Sequence, residues 1–181
     1  MTLLLAVLTP FAGAVLTAWA SRLGRVVSAW AAGAVTLVSL ALLLPLFSVP
    51  FAGETLIQRH EWMPALGLDL AFRLDGLALL FAGLILGIGL LIVLYARYYL
   101  SERDSMGRFY AYLMLFMGSM LGIVLSENLI QLLIFWELTS LSSFLLISYW
   151  QHREEARQGA RMALAVTGAG GFAMLGGFLL L

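Results

Sequence analysis

The chain has 181 residues, of which 62% are hydrophobic and only 11% are charged, and its ten basic and ten acidic residues cancel. A soluble domain is about half apolar and about a quarter charged, so this composition excludes a soluble globular protein and predicts an all-α integral membrane protein. The absence of cysteine excludes disulfides and thiolate chemistry, and the lack of a strongly basic face excludes nucleic acid as a partner.

Six apolar segments approach the ~20 residues that a spanning helix needs. They are Leu3–Ala20, Val26–Phe47, Leu77–Tyr98, Phe109–Leu125, Leu129–Trp150 and Ala160–Leu181. The first segment has the alternative of a cleaved signal peptide that ends near Ala18 and Ala20. No arginine or lysine precedes it, so we interpret it as the first spanning helix.

The distribution of arginine predicts the orientation of these helices. All ten basic residues are arginine, and only Arg59 and Arg73 fall outside the loops that follow the first, third and fifth segments. Because cytoplasmic loops are enriched in basic residues, we expect the N-terminus to lie outside the cell. We expect a multi-pass protein of the plasma membrane, such as a bacterial inner membrane. In the last of these loops, Arg157 and Arg161 are candidates for a cytoplasmic entrance to an ion pathway.

The segment between the second and third helices has the pattern of a β-hairpin. Apolar and polar residues roughly alternate in "LDLAFRLD", Leu68–Asp75, and residues 54–62 provide a partner strand. Pro64 and Gly67 lie between the two strands and predict a turn. We therefore expect a small external hairpin, in which His60 is solvated rather than bound to a metal.

Glycines recur at spacings that favour close helix contacts. The pairs Gly83–Gly87 and Gly118–Gly122 are each four residues apart, which is typical of packed membrane helices. The last segment contains five glycines, for which close packing and a local bend or unwinding both remain open. These five are Gly168, Gly170, Gly171, Gly176 and Gly177. Because no charge follows Arg161, we expect the chain to be the start of a longer protein.

The fifth segment carries one acid, in "LLIFWELTSLSS", Leu132–Ser143. An ionised carboxylate near the bilayer centre costs at least ~2.5–3.5 kcal/mol. Glu137 must therefore stay protonated or pair with a cation, so its protonation responds to nearby charge, as a proton relay requires. Glu127, at the start of the same helix, is expected to be a solvated residue rather than a member of the relay.

Polar residues on both sides of this helix predict an interior position for it. They leave no clean lipid face, so we expect other helices around it, and their hydroxyls and amides are able to hold water. The candidate supporting residues are Ser140, Thr139, Ser142, Gln131 and Ser148. A protonated Glu137 that makes only a structural hydrogen bond is the alternative.

Other kinds of chemistry have no support in the sequence. The chain contains no nucleophile-elbow or zinc-protease motif, and only one acid lies at membrane depth, which excludes an intramembrane protease. We expect a transporter rather than an enzyme, with no cofactor and no metal site. A basic partner for Glu137 is expected outside this chain, because no Lys, His or Arg lies in the middle of any of the six segments.

From about Phe72 onward, three stretches resemble one family of ion transporters. They are "FRLDGLALLFAGLILGIGLLIVLYARYYLSE", "FWELTSLSS" and "VTGAGG". They resemble the A subunit of the multisubunit Mrp-type monovalent cation/proton antiporter, a relative of the antiporter-like subunits of respiratory complex I. The resemblance implies a 14-helix core with two inverted five-helix repeats, and a coupling glutamate at Glu137 that works with a lysine two helices further on.

This resemblance implies exchange of Na⁺ or another monovalent cation for protons, with other antiporter subunits and the lipid bilayer as partners.

We divide the chain into residues 1–76 (two helices and the hairpin), 77–107 (the third helix and its loop) and 108–181 (the start of the first repeat). The alternatives are a proton-translocating subunit of an NADH–quinone oxidoreductase type complex and a structural membrane subunit.

Overall fold

The computed structural model describes residues 1–63 and 68–180, and within them six helices are long and apolar enough to cross a membrane. These are α1 (Thr2–Ala20), α2 (Arg25–Leu43), α4 (Gly76–Tyr99), α5 (Met106–Leu125), α6 (Leu129–Ile147) and α7 (Glu154–Leu179). A 3₁₀ turn (Leu44–Leu46) and the one-turn helix α3 (Ser48–Phe51) follow α2. The predicted six-helix architecture is therefore confirmed.

The predicted hairpin is also present, between α3 and α4. Strand β1 (Leu56–Met63) pairs antiparallel with β2 (Leu68–Leu74). The predicted turn at Pro64 and Gly67 lies outside the described residues. The prediction for His60 is wrong in one respect: its Nε2 atom is buried and has no hydrogen-bond partner among the described residues, instead of being solvated.

Four helix ends differ by three residues or more from the sequence prediction, and one of them is the start of α5, at Met106 instead of Phe109. Helix α2 ends at Leu43 instead of Phe47, because Pro45 has no backbone N–H to continue the α-helical ladder. Helix α6 ends at Ile147, three residues before the predicted limit. Helix α7 begins at Glu154, well before Ala160, and the two glutamates in its first turn complement the positive end of the helix dipole.

Helix α5 forms the centre of the molecule and packs against α1, α2, α4 and α6. Its buried side chains recur every three or four residues and include Tyr110, Met114, Met117 and Leu121, all at most 2% exposed. The Tyr110 hydroxyl donates a hydrogen bond to the Val93 carbonyl of α4 at 2.9 Å, so its polar end is satisfied inside the core.

Glycine allows two aromatic side chains to reach the backbone of α5. A β-carbon at Gly118 would lie 2.8 Å from the Phe11 ring, and one at Gly122 would overlap the Phe135 ring of α6. The predicted contact role of this pair is therefore confirmed. Gly83 and Gly87 have no atom within 4 Å of the position of a β-carbon, so the structure gives this pair no contact among the described residues.

The arginine-rich loops meet at one end of the helices, which we call the arginine end. The Arg25 guanidinium donates hydrogen bonds to the carbonyls of Leu100 (2.9 Å), Ser101 (2.6 Å) and Asp104 (3.1 Å). The Trp150 indole donates to Asp104 Oδ1 at 3.0 Å, which adds the α6–α7 loop. The hairpin lies at the opposite end, the hairpin end, where Leu3 near the start of α1 donates to Gln58 of β1.

Candidate functional site

Glu137 lies in the middle of α6. It lies eight positions after Leu129 and ten before Ile147, which places it about 12 Å and about 15 Å from the two ends of the helix. Its carboxyl group points to α7, where Oε1 contacts the backbone at Gly171. The acid therefore lies at the interface of α6 with α7, near the middle of α6.

Gly171 creates the space that the Glu137 carboxyl group occupies. A β-carbon at position 171 would overlap Oε1 and lie 3.0 Å from the carboxyl carbon, whereas the other four glycines of α7 have no atom within 4 Å of that position. Because α7 is a continuous helix from Glu154 to Leu179, these glycines do not unwind it. Close packing applies at Gly171 alone among the five.

The carboxyl group of Glu137 has no polar partner in the part of the chain that the structure describes. Within residues 1–63 and 68–180, no side chain or backbone group is hydrogen-bonded or ion-paired to it. The alternative of a structural hydrogen bond therefore finds no partner among these residues.

The hydroxyl groups closest in sequence to Glu137 are bonded within α6 itself. Thr139, Ser140 and Ser142 each donate to a carbonyl one turn back along the helix, at 2.8–3.1 Å. Their lone pairs remain able to accept from water. Ser148 caps the end of α6, eleven residues and about 16 Å from Glu137, and its hydroxyl donates to its own helix.

Gln131 connects α6 to the hairpin instead of facing Glu137. It is 4% exposed, and its Oε1 accepts a hydrogen bond from the Ala71 N–H of β2 at 2.8 Å. Its neighbour Asn128 has two bonds: Oδ1 caps α6 by accepting from the Gln131 N–H (2.7 Å), and Nδ2 donates to the Asp69 carbonyl (2.8 Å). This attachment was not predicted from the sequence, although Asn before an apolar helix is a helix-start signal.

Three charged residues form an ion-pair chain at the hairpin end. Arg73 of β2 lies 3.3 Å from Asp75 and 3.7 Å from Glu127. Asp75 also caps α4 by accepting from the Ala78 N–H at 2.8 Å. Glu127 is thus paired with Arg73 rather than simply solvated, and its position at the start of α6 separates it from Glu137 by ten residues.

Arg157 and Arg161 lie in the first turns of α7, not in the preceding loop, because α7 begins earlier than predicted. Both are exposed, and neither has an ion pair among the described residues. With a spacing of four, they share one face of the helix at the arginine end.

Helix α6 has fewer neighbours than the sequence suggests. Among the described residues it packs against α5 on one side and α7 on the other, and an apolar face with Ile134, Leu138 and Leu141 stays exposed. The expectation of an enclosed helix is not met within this chain. Of its polar side chains, Glu137 faces α7 and Gln131 faces the hairpin.

The arginine end has its own electrostatic centre at Asp104. Its Oδ2 accepts from the Ser101 hydroxyl at 2.7 Å and from the Ser101 N–H at 3.0 Å. The hydrogen bond from the Ser101 hydroxyl is the main cause that lowers the pKa of Asp104 from its ordinary value of 3.8, although desolvation opposes it. The Trp150 indole and the Arg25 charge lower this pKa further. The carboxylate is therefore ionised at neutral pH and holds two loops together.

Two family models match the chain. Residues 62–110 match the family described as NADH-ubiquinone oxidoreductase (complex I), chain 5 N-terminus. Residues 126–181 match the family described as NADH:quinone oxidoreductase/Mrp antiporter, transmembrane region. This matched range contains Glu137 and Gly171.

Curated relatives cover almost the whole chain. It is 49% identical over 175 residues to the A/B subunit of a probable K⁺/H⁺ antiporter of Rhizobium meliloti, and 46% identical over 178 residues to the A subunit of the Na⁺/H⁺ antiporter of Alkalihalophilus pseudofirmus. Each match covers 97% of this chain but only 18% and 22% of the respective relative. The chain thus spans about a fifth of the length of these relatives.

A solved structure shares the fold. The Mrp complex from a Dietzia species matches with a TM-score of 0.84 and 35% identity, over 97% of this chain and 19% of the matched chain. The resemblance seen in the sequence is thereby confirmed. The chain belongs to the membrane-subunit family that Mrp antiporters share with NADH:quinone oxidoreductase, and it is homologous to part of the A subunit of Mrp-type antiporters.

Proposed function

We propose that this chain is part of a membrane subunit of a secondary antiporter, which exchanges Na⁺ or another monovalent cation for protons. Glu137 is the protonatable coupling residue. The subunit lies in the plasma membrane. Its arginine end faces the cytoplasm and its hairpin end faces the outside, because eight of the ten arginines lie at the arginine end.

One observation carries this proposal: the carboxyl group of Glu137 lies in the middle of a spanning helix, against Gly171, without a polar partner in the described part of the chain. An acid in this position is costly to ionise, so it exchanges its proton when a positive charge approaches or leaves. The Na⁺/H⁺ and K⁺/H⁺ antiporter subunits that resemble this chain are consistent with such a step.

The mechanism needs a positive charge that this chain does not supply. No Lys, His or Arg occurs in α6, and the basic residues of α7 are confined to its first turns. In this proposal the partner charge therefore comes from outside residues 1–181. When that charge or a cation is near, Glu137 is stable as a carboxylate, and when it moves away, Glu137 takes up a proton.

The three divisions of the chain have different parts in this proposal. Residues 1–76 and 77–107 form the flanking helices and the hairpin, and residues 108–181 form the start of the repeat that contains Glu137. The exposed apolar faces of α6 and α7 are where further helices or other antiporter subunits pack.

The test uses the complete antiporter complex in inverted membrane vesicles. Glu137→Gln keeps the shape of the side chain but cannot exchange a proton, so Na⁺-dependent proton flux should fall to background. Glu155→Gln, at an exposed position in the first turn of α7, is the matched control and should retain flux. Wild-type flux in a fully assembled Glu137→Gln complex would refute the coupling role.

A redox-driven proton pump is the second candidate, because residues 62–110 match a family described after complex I. That function requires an electron donor to drive proton movement. An imposed Na⁺ gradient alone should drive proton flux if the antiporter proposal holds. If flux appears only with an electron donor, the second candidate replaces it.

A further inference from the structure

An apolar groove runs between α2 and α4 and opens to the outside of the helix bundle. It has a volume of about 450 Å³. On the α2 side the small residues Gly33 and Ala34 lie between Trp30 and Leu37 in the lining, whereas α4 contributes Leu90 and Leu94. A β-carbon at Gly33 would meet no atom within 4 Å, so the groove is open at its centre.

One charged residue closes the groove at the arginine end. Arg97, in the last turn of α4, lies with its guanidinium carbon 5.7 Å from the centre of the Trp30 ring and 5.6 Å from that of Tyr98. Aromatic rings hold a cation in place but do not neutralise it. Among the described residues, no carboxylate is ion-paired with Arg97.

The dimensions of the groove match half of a bilayer. On α2 it extends from Ala29 to Leu37, eight residues or about 12 Å. One leaflet of the ~30 Å hydrocarbon core is about 15 Å thick. The groove therefore reaches from the membrane surface to about the bilayer centre, too short for a spanning helix of another subunit to fill and suitable for an acyl chain of one leaflet.

We infer that this groove binds an anionic phospholipid of the leaflet at the arginine end, with one acyl chain between α2 and α4 and its phosphate at Arg97. Trp30, which is 68% exposed, lies at the level of the lipid headgroup, where tryptophan is enriched. Basic pockets between spanning helices are a recurrent way to bind anionic lipid headgroups. The inference does not depend on the role of Glu137.

The test measures lipid retained on the purified complete complex by native mass spectrometry, with phosphatidylglycerol as the probe. Arg97→Gln removes the charge and Gly33→Leu fills the groove. The matched controls are Arg103→Gln, an exposed arginine at the same end, and Gly87→Leu, at a glycine with equally open surroundings.

Arg97→Gln should weaken retention of phosphatidylglycerol about fivefold, the factor that corresponds to ~1 kcal/mol for one basic residue at an anionic lipid surface. Gly33→Leu should have at least the same effect, and both controls should match the wild type. Unchanged retention in Arg97→Gln would overturn the inference. So would a photo-crosslinker at position 33 that attaches to the helix of another subunit instead of to lipid.

Discussion

The Glu137 carboxyl group and the Gly171 backbone touch across the interface between α6 and α7. Residue 171 must lack a side chain for Glu137 to keep its position, because a β-carbon there would occupy the space of Oε1. The acid is therefore placed by a neighbouring helix as well as by its own. In the proposed mechanism, this contact fixes where the proton is exchanged.

Gly171→Ala should displace the carboxyl group while leaving the fold intact. The overlap involves the flexible end of one side chain, so Glu137 can rotate away without movement of either helix. Because a shift of about 1 Å in a reacting group can cost up to 10²-fold in rate, we expect cation-driven proton flux to fall about tenfold or more. Flux measurements in vesicles, with the amount of assembled complex quantified, test this expectation.

The matched control is Gly170→Ala, which makes the same chemical change one residue earlier on α7. Nothing lies within 4 Å of the position of its β-carbon, so flux should stay close to that of the wild type. Equal flux in the two variants would show that the contact with Gly171 does not position Glu137.

Asn128 should hold the hairpin against α6 separately from its role as a helix cap. Asn128→Asp keeps the oxygen that caps α6 but loses the amide that donates to Asp69. One hydrogen bond contributes about 0.5–1.5 kcal/mol, so amide hydrogen exchange in β2 should accelerate up to about tenfold while that of α6 stays constant. Asn128→Ala should accelerate both regions, since cap loss costs ~1 kcal/mol. Unchanged exchange of β2 in Asn128→Asp would contradict the attachment.

The pH dependence of the arginine end follows from Asp104. Because its folded pKa lies below the ordinary value of 3.8, its carboxylate stabilises the loop contacts fully above pH 3.8, and this contribution is lost as the pH falls further towards the folded pKa. Hydrogen exchange of the loop at residues 101–105, corrected for intrinsic rates, should therefore be constant from pH 7 to 5 and rise below 3.8.

Asp104→Asn should abolish that acid-dependent rise and give faster exchange already at pH 7, because a neutral amide accepts hydrogen bonds from Ser101 and Trp150 less strongly. If Asp104→Asn kept the wild-type dependence of hydrogen exchange on pH, other groups, such as the Arg25 guanidinium, would be responsible for holding the loops together.

The hydropathy and charge patterns were sufficient for the helices and the hairpin, since a bilayer allows few other solutions for such a chain. The helix ends were less predictable. A proline in an apolar run shortened α2, and acidic residues of an apparent loop began α7, because both effects are local to one turn and do not alter mean hydropathy.

The site was predictable only in part. The position of Glu137 on its helix follows from counting residues, but its neighbour on α7 does not, because nothing in five glycines distinguishes Gly171 before the helices are packed. The contacts that Gln131 and Ser148 make were not predictable for a similar reason. Periodicity places residues around a helix, whereas contact with Glu137 also depends on distance along it.

The most direct test of the central claim is infrared difference spectroscopy of the complete complex as Na⁺ is added at constant pH. If Glu137 exchanges its proton when a cation binds, the band of a protonated carboxyl group should change in the wild type, and this change should be absent in Glu137→Gln. The same band change in both proteins would contradict the assignment of Glu137 as the group that exchanges its proton when a cation binds.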